Sequence, residues 1–226
     1  MQKGPGSLRS GMVDEGGLDS ADSVFDRVAG YYDSLVERHG DSARSCDYGD
    51  PRSPIAKFEV LASVAPLEGR RILDVGCGLG HFADFLKQRY REVTYVGVDL
   101  SGRMIELGRD LHPGLDLRVA NILTEDLGEF DVVVASGIFY LLGEQAAELM
   151  KQIVSRMYSH ARVAVAWNSL SAWASDHQEG EFYADPLEAV DFTRSLTPWV
   201  TMRHDYHPRD FTIYGYRKSI ASDRLN

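Results

Sequence analysis

From residue 69 onward, short apolar runs alternate with longer amphipathic stretches. The apolar runs are nearly continuous, which is typical of strands that are buried on both faces of a parallel sheet. They predict strands at 71–75, 94–98, 117–120, 131–135 and 162–167. The stretches between them carry apolar residues at helical spacing and predict helices at 81–88, 103–111 and 143–158. Strands that alternate with helices in this way indicate an α/β fold with a doubly wound, mostly parallel sheet.

The last two apolar runs, at 200–204 and 211–216, flank a turn around His207-Pro208-Arg209. This connection is too short for a parallel crossover, so the two strands are expected to pair antiparallel. The sheet is therefore expected to contain seven strands and to end in an antiparallel C-terminal hairpin. The segment at about 168–198, between the fifth strand and the hairpin, is expected to be an insertion.

Helices are also predicted before the sheet. Six residues at helical spacing predict one or two short amphipathic helices: Val24, Phe25, Val28, Tyr31, Tyr32 and Leu35. Farther on, Ser53 and Pro54 have the form of a helix start, and an apolar stripe follows them. Residues 1–21 are rich in Gly, Ser and Asp and are expected to form a disordered tail. A single domain is then expected over 22–220.

Composition narrows the class of protein. The chain has 226 residues and 44% hydrophobic content, which suits one domain with a sizeable core. Its formal charge of -10 opposes a general attraction to nucleic acid or to an anionic membrane. Cys46 and Cys77 do not form a close pair of the kind that binds zinc, so no metal is expected and reduced thiols in a cytoplasm fit best. A monomer or a homodimer is expected.

The strongest local signal is the run Ile72-Leu73-Asp74-Val75-Gly76-Cys77-Gly78-Leu79-Gly80-His81. An apolar strand here leads into three alternating glycines, which let the backbone approach a ligand, and then into a helix start with unpaired N–H groups. A dinucleotide fingerprint needs glycine at position 81, where this chain has histidine, and the Lys-Ser/Thr pair of a Walker loop is missing. Taken alone, the loop also fits a tight turn that binds nothing.

The second apolar strand ends in Val98-Asp99-Leu100-Ser101. An adjacent parallel strand would deliver Asp99 beside the glycine loop, where its carboxylate can accept hydrogen bonds from both hydroxyls of a ribose. Such charge-assisted bonds are worth about 1.5–3 kcal/mol each. Asp99 alone fits the end of a strand or a helix cap equally well.

With these motifs in this order, the chain resembles the class I S-adenosylmethionine-dependent methyltransferases from about residue 24 to residue 216. The resemblance implies a Rossmann-like fold, with S-adenosyl-L-methionine as cofactor and S-adenosyl-L-homocysteine as product. It implies that the methionine end of the cofactor binds at Asp74, Gly76, Cys77, Gly78 and Gly80. It also makes Asp99 the ribose ligand and Leu100 and Met104 neighbours of the adenine, although core packing explains these last two equally well.

The third motif of the family usually carries an Asp that accepts the adenine amino group. This chain has Ala120-Asn121-Ile122 there. An Asn side-chain oxygen can accept the same bond, and the Ile122 N–H can serve the ring nitrogen. Capping of the loop is the alternative role for Asn121.

The fourth strand is followed by Ser136-Gly137-Ile138-Phe139-Tyr140, a segment that lines the acceptor pocket in many relatives. Ser136, Phe139 and Tyr140 are therefore candidate site residues by position, although the aromatic rings also suit a core. The N-terminal helix resembles one that many small-molecule methyltransferases fold over the cofactor. Tyr32 is accordingly a candidate lid residue, with packing on the sheet as its alternative role.

Methyl transfer from a sulfonium is an in-line displacement, so the protein mainly positions the reactants and excludes water. An acceptor hydroxyl or amine also needs a base, and the catalytic candidates are His81, Tyr32 and Tyr140. His81 begins the helix after the glycine loop and is expected to face the cofactor. His204 and His207 are further candidates, although charged residues in their turn are expected to be solvated.

The predicted insertion and its borders contain six aromatic residues: Trp167, Trp173, Phe182, Tyr183, Phe192 and Trp199. An aromatic lid favours a compact organic acceptor, and burial of extra helices is the alternative. The Asn/Asp-Pro-Pro-aromatic run of nucleic-acid amino methylases is missing after the fourth strand. The sequence therefore predicts methyl transfer to an O, N or C atom of a small metabolite or natural product. A non-catalytic cofactor-binding regulatory or scaffold subunit is the alternative.

Overall fold

The computed structural model describes residues 20–46 and 53–221, and most of the predicted N-terminal tail lies outside them. Within these residues the strands are β1 (Arg71–Val75), β2 (Thr94–Asp99), β3 (Asp116–Val119), β4 (Phe130–Ala135), β5 (Ala161–Leu170), β6 (Val200–Arg203) and β7 (Asp210–Tyr216). The α-helices are α1 (Ala21–His39), α2 (Ser53–Ala62), α3 (His81–Lys87), α4 (Gly102–Leu111), α5 (Ala146–His160) and α6 (Pro186–Leu196). Short 3-10 turns lie at Ala43–Cys46 and Gly143–Gln145.

All seven strands form one sheet in the order β3-β2-β1-β4-β5-β7-β6. The first five are parallel to their neighbours, and β7 pairs antiparallel with both β5 and β6. The predicted doubly wound sheet with an antiparallel C-terminal hairpin is therefore confirmed. The chain moves outward from β1 to β3 and returns on the other side of β1 to β4, so a crevice opens between the carboxyl ends of β1 and β4.

The core lies on both faces of the sheet, as the apolar strands predict. Successive residues of β1 alternate between the faces, with Leu73 in one apolar cluster and Ile72 in the other, and both are fully buried. The cluster around Leu73 includes α5, and the one around Ile72 includes α2 and α3. This two-sided packing fixes the positions of the strand ends that surround the crevice.

The N-terminal helical segment is one helix of 19 residues instead of two short ones. It begins after Ser20, whose side chain accepts a hydrogen bond from the Ser23 N–H at 3.3 Å. Gly30 lies in its middle, and no atom lies within 4 Å of where a side chain there would begin. In the described part of the chain, no helix combines the length and the apolar character needed to cross a membrane.

The predicted insertion differs from expectation at its borders. The strand β5 continues to Leu170, and α6 fills much of the segment before β6. Asp185 caps α6 by accepting hydrogen bonds from the Leu187 and Glu188 N–H groups, and Pro186 occupies the first turn. These are ordinary helix-start signals.

Candidate functional site

A cavity of about 380 Å³ opens at the carboxyl ends of β1, β2 and β4. This volume lies within the range of about 300–1,000 Å³ that is typical of small-molecule sites. Nearly all of the predicted cofactor residues line it, namely Tyr32, Asp74, Gly76, Cys77, Gly78, Asp99, Leu100, Met104, Asn121, Ile122 and Ser136. The topology therefore brings together motifs that are far apart in the sequence.

The glycine loop is held against β2 by its backbone. The N–H groups of Gly76 and Cys77 both donate to the Val98 carbonyl oxygen, at 2.8 and 3.0 Å. Gly76 has a φ of 71°, and a Cβ there would lie 2.2 Å from Cγ2 of Ile138. Glycine at this position is thus required by both the backbone angle and the space.

Asp99, the last residue of β2, is oriented by the loop. Its Oδ2 accepts from the Gly78 N–H at 2.8 Å, and its Oδ1 accepts from the Ser101 N–H at 2.9 Å. Burial raises the pKa of Asp99, although these backbone bonds oppose the rise. Because a carboxylate offers about four lone pairs, capacity remains for two hydroxyl donors from the cavity. The residue therefore fits the predicted ribose contact.

Asp74, on β1, is 4% exposed and lines the same cavity. It accepts a hydrogen bond from the Tyr95 hydroxyl at 2.6 Å. Burial raises the pKa of Asp74 to about 7, against the effect of the Tyr95 bond. A cationic group in the cavity would favour the ionised carboxylate, so Asp74 fits the predicted contact with the methionine end of the cofactor. Sequence reasoning missed Tyr95.

The predicted adenine region contains Leu100, Met104 and Ile122, which present apolar surface to the cavity. The Oδ1 of Asn121 accepts from the Leu123 N–H at 2.9 Å, so its side chain caps the loop after β3. Asn121 also lines the cavity, and its oxygen keeps a second lone pair. Both roles that the sequence allows for Asn121 are therefore compatible with its position.

The helix α1 lies across the cavity, as its resemblance to a lid predicts. The hydroxyls of Tyr32 and Tyr140 are 2.7 Å apart, which joins α1 to the segment after β4. Asp33 accepts from the Ser101 hydroxyl at 2.5 Å and from the Arg103 N–H at 3.3 Å. These contacts place both predicted tyrosines on the cavity wall and fasten α1 to the start of α4.

Ser136 lies at the end of β4. Its Oγ accepts a hydrogen bond from Nδ2 of Asn168 at 3.0 Å, and Oδ1 of Asn168 accepts from the Gly137 N–H at 2.8 Å. Asn168 is fully buried on the neighbouring strand β5. Its side-chain amide therefore fixes the turn that leads from β4 to Tyr140.

Beyond β4, the cavity ends in a group of polar and charged side chains, of which the sequence had pointed only to His207. The Lys57 Nζ lies 2.9 Å from Oδ1 of Asp210, and Nδ1 of His207 lies 2.5 Å from Oδ2 of the same residue. Burial alone would raise the pKa of Asp210, but its contacts with His207 and Lys57 outweigh burial and lower it. Asp210 is therefore an ionised carboxylate with only 1% exposure.

Three more polar groups line this end of the cavity. A guanidinium nitrogen of Arg209 lies 2.7 Å from Oε2 of Glu181. The Ser169 Oγ is buried and has no hydrogen-bond partner among the described residues. Since buried polar atoms are rarely left unpaired, Ser169 is suited to contact a polar group of a bound molecule. We call the group Lys57, Ser169, Glu181, His207, Arg209 and Asp210 the acceptor end.

Signals for the acceptor end were weak in the sequence. Lys57 is one of two charged residues within the mostly apolar helix α2, and Asp210 opens the otherwise uncharged strand β7. His207 was a candidate base in a turn whose charges were expected to be solvated, but its side chain is only 22% exposed because the turn folds back onto the cavity. The usable clue to the acceptor end in the sequence was Asp210, which directly precedes a predicted apolar strand.

Two predicted site residues lie elsewhere. His81 does not line the cavity as expected, because its Nε2 lies 3.6 Å from Asp41 on a side chain that is 39% exposed. Gly80 precedes α3 with a φ of 86°, and a Cβ there would lie 3.1 Å from Leu115. Gly80 therefore lets the loop pack against Leu115 on the side away from the cavity. The position of His81 gives no geometric basis for a catalytic role.

The aromatic residues of the insertion do not form a lid, since none of the six lines the cavity. Trp167 is fully buried and packs edge-on against Phe139 and Phe211, so it supports the site from the core. Trp173 and Trp199 are 50% and 45% exposed, so burial does not account for them. The insertion reaches the cavity through Glu181, and the Phe182 N–H donates to the Tyr140 carbonyl at 2.8 Å.

Comparisons with known proteins agree with this geometry. A family model described as a methyltransferase domain matches residues 73–163. The ubiquinone biosynthesis O-methyltransferase of Alkalilimnicola ehrlichii is 32% identical over 111 residues, which cover 48% of this chain and 44% of that protein. A trans-aconitate 2-methyltransferase of Rhodopseudomonas palustris is 29% identical over 119 residues, which cover 52% of this chain and 46% of that protein. The chain thus spans less than half the length of these two relatives.

A solved structure extends the likeness beyond the matched segment. The crystal structure of magnesium protoporphyrin IX methyltransferase from Synechocystis PCC 6803 with bound SAH has a TM-score of 0.64 to this chain. It covers 88% of this chain and 100% of its own at 14% sequence identity. At this identity the match concerns the fold, and it includes the sheet and the helices around the cavity.

Proposed function

We propose that this chain, which belongs to the class I S-adenosylmethionine-dependent methyltransferases, transfers the cofactor's methyl group to a compact small-molecule acceptor. One observation carries the proposal: a single cavity joins the residues of the cofactor motifs to the buried charges of the acceptor end. Asp99 and Gly78 lie at one end, and Lys57, His207 and Asp210 lie at the other. A ligand held by the first set therefore faces a second ligand held by the other.

The cofactor supplies a methyl group on a positively charged sulfur when it is bound. The protein's part is to align this group with an acceptor atom and to exclude water. The helix α1 and the Tyr32–Tyr140 contact cover the cavity and serve this exclusion. Asp74 would hold the methionine end of the cofactor beside the glycine loop, and Asp99 would hold its ribose.

We assign to His207 the role of general base for a hydroxyl or amine acceptor. Asp210 holds the imidazole at Nδ1 and is itself held by Lys57, which leaves Nε2 to accept a proton. Transfer forms one oxygen–carbon or nitrogen–carbon bond and breaks the sulfur–methyl bond, whose electron pair stays on sulfur. The acceptor's proton passes to Nε2 of His207, so charge balances. Ser169 and Arg209 are placed to bind polar groups of the acceptor.

The relatives support a small organic acceptor. The two curated proteins described above are named for ubiquinone biosynthesis and for trans-aconitate, and the formal charge of -10 of this chain is unfavourable for nucleic acid. Cys46 and Cys77 are both free thiols, which supports a reducing compartment such as the cytoplasm. A monomer or homodimer is the assembly we expect.

Calorimetry tests the cofactor site. We expect S-adenosylmethionine and S-adenosylhomocysteine to bind with dissociation constants below 1 mM, and Asp99→Ala to weaken binding by about tenfold or more, since each lost charge-assisted bond costs about 1.5–3 kcal/mol. Asp116→Ala, which changes an exposed carboxylate on β3, is the matched control. Unchanged binding in Asp99→Ala would remove the basis of the assignment.

Incubation with methyl-labelled cofactor and a metabolite extract tests the reaction itself. Transfer of label to a small molecule would exclude the non-catalytic scaffold alternative. A chain that binds the cofactor but transfers no label to any extract would favour that alternative. The buried ion pair of Lys57 and Asp210 supports catalysis, because burying charges beside the cofactor is costly and has no evident use in a binding subunit.

A further inference from the structure

We propose that the chain also binds a divalent first-row metal ion, with zinc as the best match, between His81, Asp84 and His112. His81 and Asp84 are one turn apart on α3, and His112 directly follows α4. The three side chains offer ligand atoms that all lie within 4.8 Å of one another. None of them lines the cavity, so this site is separate from the proposed methyl-transfer site.

The distances are close to those around a bound ion. Ligands at about 2.0–2.1 Å from a tetrahedral zinc are roughly 3.3 Å from one another. Nδ1 of His112 and Oδ2 of Asp84 are already 3.1 Å apart. The His81 and His112 ring centroids are 5.9 Å apart, and the His81 side chain is 39% exposed. A rotation of this exposed ring brings its nitrogen to coordination distance without moving the backbone.

His112 provides a second, independent observation. Its side chain is only 10% exposed, and its Nε2 is buried with no hydrogen-bond partner among the residues that the structure describes. Buried polar atoms rarely lack partners. Nδ1, which faces Oδ2 of Asp84 at 3.1 Å, is the ring nitrogen that is offered to the ion. The fixed imidazole is therefore a ligand that is already held in place.

The surrounding charges favour a cation. The Asp41 carboxylate lies 3.6 Å from Nε2 of His81 and can supply a fourth ligand. Lys87 lies 3.9 Å from Asp84, but its side chain is 62% exposed and can swing away.

The donor set selects the kind of metal. Two imidazoles with one or two carboxylates suit zinc, cobalt or nickel, whereas magnesium and calcium prefer all-oxygen sites. A bound ion would join the start of α3, the end of α4 and the segment after α1 that carries Asp41. Because these elements surround the glycine loop, we expect the ion to stabilise the folded chain.

Metal titration of the chain without any affinity tag tests the site. After treatment with EDTA and dialysis, we expect one equivalent of ZnCl₂ to bind in calorimetry with a micromolar or tighter dissociation constant, and CoCl₂ to give visible absorption bands of a four-coordinate ion. A hundredfold excess of zinc over its dissociation constant should raise Tm by about 5–10 °C. MgCl₂ at the same concentration should do neither.

Variants distinguish this site from adventitious binding. His81→Ala and Asp84→Asn should each weaken zinc binding by about tenfold or more, whereas His177→Ala, at an exposed histidine outside the cluster, should leave it unchanged. The Tm of each metal-free variant reports whether it is folded. No saturable binding to the natural chain, or equal binding by the His81 and Asp84 variants, would overturn the proposal. The titrations contain no cofactor, so their result is independent of the proposed methyl transfer.

Discussion

The two ends of the cavity are formed by different kinds of groups from different parts of the chain. At the cofactor end, the glycine loop and a few side chains line the ligand space, and Gly76, Gly78 and Asp99 lie in adjacent β–α turns. At the acceptor end, charged side chains from α2, the insertion and the C-terminal hairpin meet. Lys57 and Asp210 touch at 2.9 Å although most of the chain separates them in sequence.

This difference separates an end that depends on backbone shape from one that depends on side chains. A loop that needs glycine where a Cβ has no room, as at Gly76, tolerates little change in shape. An end built from side chains on separate elements can alter its charge and form without disturbing the sheet. We therefore expect substitutions at the acceptor end to affect turnover or local stability while cofactor binding is preserved.

The sharpest test of this separation is His207→Gln. Removing a general base typically lowers kcat by about 10²–10⁴-fold, and the binding of S-adenosylhomocysteine should not change. Label transfer to an acceptor found in the extract measures the rate, and calorimetry measures the binding.

His204→Gln is the matched control for this variant, because His204 is in the same turn and bonds Ser171 outside the cavity. Equal rates for the His207 and His204 variants would show that the acceptor end supplies no base.

Next in size is the effect of Lys57→Met, which leaves the Asp210 carboxylate buried with one partner fewer. Breaking a buried ion pair in this way costs about 3–5 kcal/mol in the free energy of unfolding, measured by urea denaturation. The double variant Lys57→Met/Asp210→Leu should recover much of the loss, because no buried charge is left unpaired. A double variant no more stable than the single one would contradict this account of the acceptor end.

At the cofactor end, Gly76→Ala should have a smaller but decisive effect. The new Cβ meets Ile138 at 2.2 Å and the φ of 71° disfavours alanine, so we expect a loss of about 1–3 kcal/mol in the free energy of unfolding together with weaker cofactor binding. Gly102→Ala, where no atom lies within 4 Å of the new Cβ, is the control. Thermal unfolding and calorimetry report the two effects, and a neutral Gly76→Ala would show that the loop is more adaptable than its geometry implies.

The smallest expected effect concerns Asp74 and pH. Because its pKa is raised to about 7, S-adenosylhomocysteine should bind about tenfold more weakly at pH 6 than at pH 8, since protonation removes the charge that faces the ligand's ammonium group. The sign is opposite for the stability of the ligand-free chain: ionising Asp74 is harder in the folded state, so stability falls as pH rises from about 4 to 7.

The variant Asp74→Asn should lose both pH dependences, which can be followed by calorimetry and by urea denaturation across this pH range. A variant whose affinity keeps the pH dependence of the natural chain would assign the titration to another group.

The sequence predicted those parts of the site whose chemistry is local. The spacing of Gly76, Gly78 and Asp99 along two consecutive β–α units predicted both the fold and the position of the cofactor end. The family resemblance predicted that Tyr32 and Tyr140 lie at the site. Asp185 and Pro186 are also sequence signals for the start of α6. The aromatic content of the insertion instead led to the prediction of a lid over the cavity.

What could not be predicted depends on long-range packing. The burial of Asp210 follows from the pairing of β7 with β5, and only that pairing turns His207 toward the cavity. His81 shows the reverse case, since a position next to the glycine loop does not determine the direction of a side chain. The sequence also offered no reason to pair Asp84 with His112, because they lie in separate helical units.

The bonds that Asp99 accepts from Gly78 and Ser101 have a consequence for kinetics. These bonds exist before any ligand arrives, so the carboxylate is preorganised and little conformational entropy is lost when a ribose binds. Arrival of cofactor and of product should then occur at similar rates. Differences in affinity among cofactor analogues should accordingly appear in their residence times, which depend on the contacts made at the other end of the ligand.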